Sequence, residues 1–460
     1  MSGKKKGSSS LDMLHGPIAV KLILFAIPVA LSAVLQQLFN SADMIVVGRF
    51  SGSNSLAAVG ANTFIINLMV NLFVGLSIGS NVVIARYIGQ GDHDGVRKAV
   101  HSSIAISLLS GLFLSVLGWF VAESVLQLIG TPQEIINEAT LYFRIYFTGM
   151  PFAMLFNFTT AILRSKGDTK RPLYVLVVSG ILNLLLNIFF VVNLKLSVAG
   201  VALATIISTF FSSLANLWML MHEEGDLKVS LGKIRMEKRT SLLIAKVGIP
   251  AGIQGAIFSF SNVLVQGGIN TLGAKAVAAI TAALNFEYFS YFVQNSFAQA
   301  GISFLGQNYG AGNKERCKKI IRWSIILGAG STAIVSWMFI ILRYGLAGFF
   351  STDAEVIELA ASRILIVCAL YCVNSINDVL SSLMRAVGYS LMPAIICVIG
   401  ICGVRVVWLY TVFYAHPTYD MLNYCYPLSW IVSACVMVPT AYYIIRKQIR
   451  KLTPLTTEGK

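Results

Sequence analysis

The sequence has few charged residues: only 12% of its 460 residues are Asp, Glu, Lys or Arg, whereas 56% are hydrophobic. A soluble chain of this length could not hide so much apolar area, which excludes an ordinary soluble protein. Histidine is also scarce, and none of the seven cysteines precedes Cys317. The sequence therefore gives no support for a His–Cys metal site, and an odd number of cysteines argues against a disulfide framework.

The sequence also lacks the marks of an enzyme. It has no Gly-x-x-x-x-Gly-Lys-Ser/Thr motif, and no polar stretch is long enough to form a nucleotide-binding domain. No histidine, cysteine or paired-carboxylate arrangement marks a reaction centre. The turns at 89–91 and 310–312 contain glycine pairs, but no strand precedes them, so they are predicted to end helices rather than to bind phosphate. No cofactor is expected.

What the sequence does contain is a series of apolar stretches, each long enough to cross a bilayer as a helix of about 20 residues. The predicted fold is therefore an all-α integral membrane protein with twelve transmembrane helices. The predicted spans are 22–47, 57–85, 99–122, 139–163, 173–193, 198–221, 243–270, 277–305, 320–343, 361–384, 391–414 and 424–445.

Basic residues are concentrated on one side of this arrangement. All but seven of the 35 Lys and Arg residues fall in the tails and in alternate loops, and the seven exceptions are Arg49, Arg144, Lys195, Lys275, Arg343, Arg363 and Arg405. This asymmetry follows the positive-inside rule and predicts that both termini are cytoplasmic. Because the charges lie between apolar spans, the net charge of +15 indicates no nucleic-acid partner.

The two halves of the chain repeat each other. Residues 56–172 reappear at 277–393, and the recurring marks include Gly89 with Gly310 and Arg164 with Arg385, both 221 positions apart. Six spans separate equivalent positions, so the halves have the same orientation and form parallel repeats, two six-helix lobes. The predicted divisions are an N-terminal tail (1–21), an N-lobe (22–221), a cytoplasmic linker (222–242), a C-lobe (243–445) and a C-terminal tail (446–460).

An ionisable group within a span is costly and normally faces a cavity or a partner. Asp43 in the first span shares a helix face with Gln36 and Asn40, because the three have i, i+4, i+7 spacing. A desolvated carboxylate among amides can take a proton or bind Na⁺ through oxygen, so Asp43 is predicted to couple transport to an ion. The alternative is that Asp43 caps a helix end. Amides on the fourth and fifth spans complete the predicted ion-coupling site: Asn157, Asn183 and Asn187.

The second half does not copy Asp43, whose position is taken by Val265. Its carboxylates are instead Glu287 in the eighth span and Asp378 in the tenth. No cation is expected beside Glu287, which favours a role in facing a cationic substrate over a structural role. Asp378 either faces substrate or forms a structural ion pair with Arg405. The candidates for a substrate cavity are Gln36, Glu287, Asn374 and Asp378.

Several motifs give the chain a family resemblance. They are the runs 40–49 and 56–60, Gly167-Asp-Thr-Lys-Arg-Pro172, 198–205 and Gly306-Gln-Asn-Tyr-Gly-Ala-Gly312. With these motifs the chain resembles the multidrug and toxic compound extrusion family, in particular the bacterial branch named after the DNA-damage-inducible protein. The resemblance implies two six-helix lobes and export of organic cations or amphipathic compounds in exchange for H⁺ or Na⁺. It also implies that Asp43, in the matching motif, is a coupling residue.

The chain departs from the family at two places. Many members carry an aspartate where this chain has Asn187, and one branch carries an acidic residue in the seventh span, where this chain has Gln254, Asn262 and Gln266. The expected function is a secondary antiporter that works by alternating access. A flippase for a lipid-linked oligosaccharide or another amphipathic lipid of the same superfamily is the alternative. We expect a monomer in the bacterial inner membrane, contacting lipids and a small amphipathic or cationic substrate.

Overall fold

A computed structural model describes residues 10–452 of the protein, apart from the side chain of Phe64. Every regular element in this part of the chain is helical. Lys4, Lys5, Lys6 and Lys460, on which part of the predicted charge asymmetry depends, lie outside the described residues.

The first half of the chain folds into seven helices. α6 continues into a π-helical turn (Ile188–Asn193), and a short 3-10 turn (Leu231–Lys233) follows α7. The helices are α1 (Ile18–Phe50), α2 (Ser53–Gln90), α3 (His93–Leu128), α4 (Ile136–Thr148), α5 (Met150–Ser165), α6 (Lys170–Asn187) and α7 (Ser197–Met221).

The second half contains eight helices and two π-helical turns, Val398–Gly403 and Leu409–Phe413. The helices are α8 (Lys238–Asn270), α9 (Ala274–Gly310), α10 (Lys314–Gly348), α11 (Ala354–Ala369), α12 (Tyr371–Ala386), α13 (Leu391–Cys397), α14 (Val404–Trp408) and α15 (Tyr419–Arg450). α13, α14 and their π-helical turns form one continuous span, Leu391–Phe413.

Ten of the spans are long, apolar and continuous, and two more are pairs of helices joined at a bend, which gives up to twelve. The predicted all-helical membrane fold is therefore confirmed, and each predicted span coincides with one helix or one bent pair. The bends occur at equivalent places in the two halves. α4 and α5 meet at Gly149 with a bend of 48°, and α11 and α12 meet at Leu370, 221 positions later, with a bend of 44°.

A π-helical turn also recurs at this offset, beginning at Ile188 in the first half and at Leu409 in the second. The predicted helix-ending turns are confirmed: Gly91, directly after α2, has a φ angle of 68°, and Gly312, two residues after the end of α9, has a φ angle of 70°. Glycine adopts this left-handed conformation without the steric cost of a side chain. Asp92 and Asn313 then cap α3 and α10 by accepting backbone N–H bonds.

The described residues divide into two compact units. Of residues 10–452, unit 1 includes 10–12 and 31–252, and unit 2 includes 13–30 and 253–452. Each division falls shortly after a proline inside a helix, Pro28 in α1 and Pro250 in α8. The first part of α1 therefore belongs to unit 2, and the first part of α8 belongs to unit 1. The predicted lobe boundaries follow chain order and do not describe this exchange.

Small residues allow α2 and the first part of α8 to approach closely within unit 1. A Cβ atom added to Gly248 would lie 2.5 Å from the Cα atom of Leu76 and 2.9 Å from the carbonyl oxygen of Gly75. Gly75 with Gly79, and Gly248 with Gly252, each have the four-residue spacing of small residues at close helix contacts in membranes.

The linker after α7 contacts unit 1 through specific hydrogen bonds. The backbone N–H of Ser230 donates to Nε2 of His101, and that of Glu237 donates to Oγ of Ser102. Glu223 accepts from Lys166 at 2.5 Å and forms an ion pair with Arg171 at 2.7 Å. Burial alone would raise the pKa of Glu223, but these two cations outweigh it and hold the pKa below its ordinary value.

Apolar cores flank the polar groups described below. In unit 1, Phe143 and Phe147 stack at 4.3 Å in a buried cluster that includes Val46 and Val47 of α1. In unit 2, Phe286 belongs to a buried cluster between α9, α10 and α11. These cores fix the helices that carry Asp43 and Glu287.

Candidate functional site

Asp43 lies inside unit 1, seven residues before the end of α1. Its Oδ1 atom accepts a hydrogen bond of 2.5 Å from Nδ2 of Asn187, the last residue of α6 before the π-helical turn. Its Oδ2 atom lies 3.5 Å from the Thr205 hydroxyl on α7. The carboxylate thus bonds to two other helices, and it does not act as the helix-end cap that the sequence left open.

Amide groups extend this site. Asn187 is fully buried and also donates to Oδ1 of Asn183 at 3.2 Å. Its own Oδ1 atom is buried and accepts no hydrogen bond from the described residues. This carbonyl oxygen lies beside a carboxylate and has no donor. It can accept a hydrogen bond from a protonated group or coordinate a hard cation such as Na⁺.

Two tyrosines missed by the sequence analysis face the same region. Tyr142 and Tyr146 of α4 lie within electrostatic range of Asp43, and their rings stack at 5.9 Å. Every hydrogen-bond partner found for Asp43 is neutral. The site therefore carries one negative charge and a surplus of acceptors, a combination that suits a proton or a small cation.

The other predicted members of this site form no hydrogen bond with Asp43. Asn157 donates to the Ala153 carbonyl of its own helix at 2.8 Å. Gln36 and Asn40 are exposed on α1. Spacing correctly placed Asn183 and Asn187 on one face of α6. The distance of Asn157 from Asp43 depends on how α5 is rotated, and a single sequence does not contain that information.

In unit 2 the expectation that no cation lies beside Glu287 is wrong. Nε of Arg363 donates to Oε1 of Glu287 at 2.6 Å, and Nη2 donates to Oε2 at 2.9 Å. Arg363 is fully buried and also donates to Oδ1 of Asn423 at 2.8 Å. This bidentate pair uses both carboxylate oxygens. Glu287 is thus in a structural pair rather than free to face a cation.

The predicted pair of Asp378 and Arg405 is not formed. Arg405 donates to Asn262 and Ser429 instead. Asp378 bonds to Gln294, which also accepts from Asn374 at 3.3 Å, and Arg385 of the same helix acts on it electrostatically. Asp378 and Arg405 lie on different helices, and sequence spacing alone could not give the rotation that separates them.

With both sites described, the chain can be compared with known proteins. The MatE family model matches residues 28–189 and, again, residues 250–411, which together exceed half of the chain. The chain belongs to the MatE family, the multidrug and toxic compound extrusion transporters. Members of this family are transporters and not enzymes, and this chain is a multi-pass membrane protein whose reported relatives are bacterial.

Relatives match over most of their length. The chain is 29% identical to the probable multidrug resistance protein YoeA of Bacillus subtilis over 83% of this chain and 84% of that protein. It is 26% identical to the probable multidrug resistance protein NorM of Thermotoga maritima, with 84% of each chain covered. Its fold resembles that of a MATE family transporter solved in the outward-facing conformation, with a TM-score of 0.88. The two sequences are 22% identical, and the match covers 97% of this chain and 100% of that chain.

Proposed function

We propose that the protein is a secondary antiporter that exports amphipathic or cationic small molecules in exchange for H⁺ or Na⁺, with Asp43 as the coupling residue. The observation that carries the proposal is the environment of Asp43. Among the described residues, this carboxylate inside a membrane helix bonds only to Asn187 and Thr205 and has no cation to balance its charge. Keeping it ionised there is costly, so it gains stability by taking a proton or a sodium ion.

The surrounding oxygens suit either ion. A protonated Asp43 could donate a hydrogen bond to the unpartnered Oδ1 of Asn187. A bound Na⁺ could instead be coordinated by that oxygen, the Asp43 carboxylate and the Thr205 hydroxyl. Residues 10–452 form no soluble domain that could supply chemical energy, which favours an ion gradient as the energy source. Exchange follows if ion and substrate favour different conformations of the protein, as alternating access requires.

Both halves carry a bend and a π-helical turn at equivalent positions, and these are suitable places for helices to change shape. The remaining parts of the proposal are a monomer with both termini in the cytoplasm of a bacterial inner membrane. Asp378, with Gln294 and Asn374, is proposed to face the substrate.

The test replaces Asp43 with Asn, which keeps the volume and one oxygen but removes the charge. Purified protein in vesicles should lose ion-driven dye efflux, because the coupling ion has no site, while still binding the dye. H⁺ and Na⁺ gradients are imposed separately, and the gradient that drives the wild type identifies the ion. The control is Glu224→Gln, an exposed carboxylate in the linker. Wild-type efflux by a well-folded Asp43→Asn variant would refute the proposed role.

A further inference from the structure

Unit 2 contains a buried guanidinium without a carboxylate partner. Arg405 is 3% exposed and lies in α14, inside a membrane span. Its Nε atom donates to Oγ of Ser429 at 3.3 Å, and Nη1 donates to Oδ1 of Asn262 at 3.0 Å. Among residues 10–452 it forms no ion pair, and its Nη2 atom makes no hydrogen bond. Buried charges inside membranes are normally paired or functional.

Aromatic rings stabilise this cation but do not neutralise it. The guanidinium carbon of Arg405 lies 4.4 Å from the ring centre of Tyr426 and 5.6 Å from that of Phe258. Arg363 also lies over Tyr426, at 4.8 Å. Glu287 balances Arg363 only, so the cluster formed by these five residues carries one net positive charge.

Unpaired donors accompany the charge. Trp430 is 2% exposed, and its Nε1–H group has no acceptor among the described residues. Its ring lies 6.3 Å from that of Tyr426. Nε1 of Trp430 and Nη2 of Arg405 are therefore two donors near Tyr426 that have no acceptor among the described residues. The Asp43 site has the opposite imbalance, with an unpartnered acceptor on Asn187.

The fold itself does not require Arg405. At the offset of 221, its equivalent in unit 1 is Leu184, and the equivalent of Tyr426 is Thr205. α6 of unit 1 forms the same membrane span with leucine at this position. A purely structural role would leave unexplained why a guanidinium is buried at this position in one half and a leucine occupies it in the other.

The cluster can be reached from outside the protein core. Asn262, the residue that accepts a hydrogen bond from Nη1 of Arg405, is exposed. Phe258 and Tyr426 are half-buried. An anion could therefore displace the Asn262 amide and accept from two guanidinium nitrogens at once, which is the strong bidentate geometry.

We propose that Arg405, Tyr426 and Phe258 form a binding site for the anionic group, a carboxylate or sulfonate, of an aromatic amphipathic compound. The charge recognises the anion, and the two rings recognise the apolar part of the ligand. The inference rests on the proposed transport function and extends it, since it adds anionic or zwitterionic compounds to the amphipathic or cationic substrates proposed above.

Two dyes with the same fluorophore test the site. Dansylglycine is an anion and dansylcadaverine is a cation, and binding of both is measured on purified protein in nanodiscs of neutral lipid. Arg405→Gln should weaken dansylglycine binding at least about tenfold, because a charge-assisted bond is lost. Its effect on dansylcadaverine should stay within about twofold. Arg405→Lys should retain most of the affinity, because it keeps the charge.

A second variant leaves Arg405 in place. Asn262→Asp should neutralise the guanidinium with a direct ion pair and weaken dansylglycine binding to a similar extent, even if Arg405→Gln fails to fold. The matched control is Arg343→Gln, which removes a guanidinium lying 4.8 Å from the ring centre of Tyr344 in the same unit.

Unchanged dansylglycine affinity in a folded Arg405→Gln or Asn262→Asp variant, or equal loss of both dyes, would overturn the inference. The assay uses no ion gradient. A negative result here therefore leaves ion coupling at Asp43 untouched, and loss of coupling in vesicles would not alter this binding result.

Discussion

Single residues at equivalent positions give the Asp43 site and the Arg405 cluster opposite charges. In unit 1, Tyr142 lies near Asp43 and the Thr205 hydroxyl bonds to it. The residues 221 positions later in unit 2 are Arg363 and Tyr426, which contact each other. The helices recur in both halves, while a few polar positions differ between them. The Asp43 site in unit 1 therefore has a carboxylate and acceptors, and the Arg405 cluster in unit 2 has guanidinium groups and donors.

The pair of Glu287 and Arg363 provides a stability prediction at this scale. Glu287→Gln should lower the free energy of unfolding by about 3–5 kcal/mol, because it leaves the fully buried Arg363 without its counter-charge. Adding Arg363→Gln should cost less than the sum of the two single changes. Unfolding in mixed detergent micelles measures each variant.

The control for this pair is Glu355→Gln. Glu355 forms an ion pair with Lys275 at 2.5 Å, but both side chains are more than half exposed, so no measurable change is expected. Strictly additive effects of Glu287→Gln and Arg363→Gln would show that the two groups are not coupled in the protein.

At the scale of helices, sequence patterns predicted positions along the chain much better than contacts between helices. Apolar length alone located all twelve spans, and glycine located the ends of α2 and α9. The bend at Leu370 has no proline or glycine at its centre, so local sequence gave no sign of it. The Glu287–Arg363 pair was missed because it depends on the relative rotation of α9 and α11, although an arginine within an apolar helix was a usable signal.

Close packing between α2 and α8 gives a prediction at the element scale. Gly248→Ala should destabilise the protein by about 1–3 kcal/mol, because the added methyl group would meet backbone atoms of Gly75 and Leu76, which cannot rotate away. Gly267→Ala on the same helix is the control, since its added Cβ meets nothing within 4 Å. The two variants are compared by thermal unfolding of purified protein, and equal melting temperatures would contradict the close contact.

For the whole molecule, the parallel relation of the halves determines the sidedness of every loop. If each bent pair is one span, six spans precede the linker and six follow it, so the proposed arrangement has the linker and both termini on one side of the membrane. The basic residues of the linker and of the loop before α10 favour the cytoplasm for this side. Antiparallel halves would instead place equivalent loops on opposite sides.

Cysteine accessibility tests this arrangement. After replacement of the seven native cysteines, single changes Glu224→Cys, Lys318→Cys and Gln133→Cys place a thiol at exposed positions. In intact cells a membrane-impermeant maleimide should label only Cys at position 133, whereas permeabilised cells should show labelling at all three. Three crossings separate position 133 from the linker, and two more separate the linker from Lys318 early in α10, so positions 224 and 318 should both lie opposite position 133. Labelling of position 224 together with position 133 in intact cells would require an even number of crossings between them and would overturn the parallel repeat.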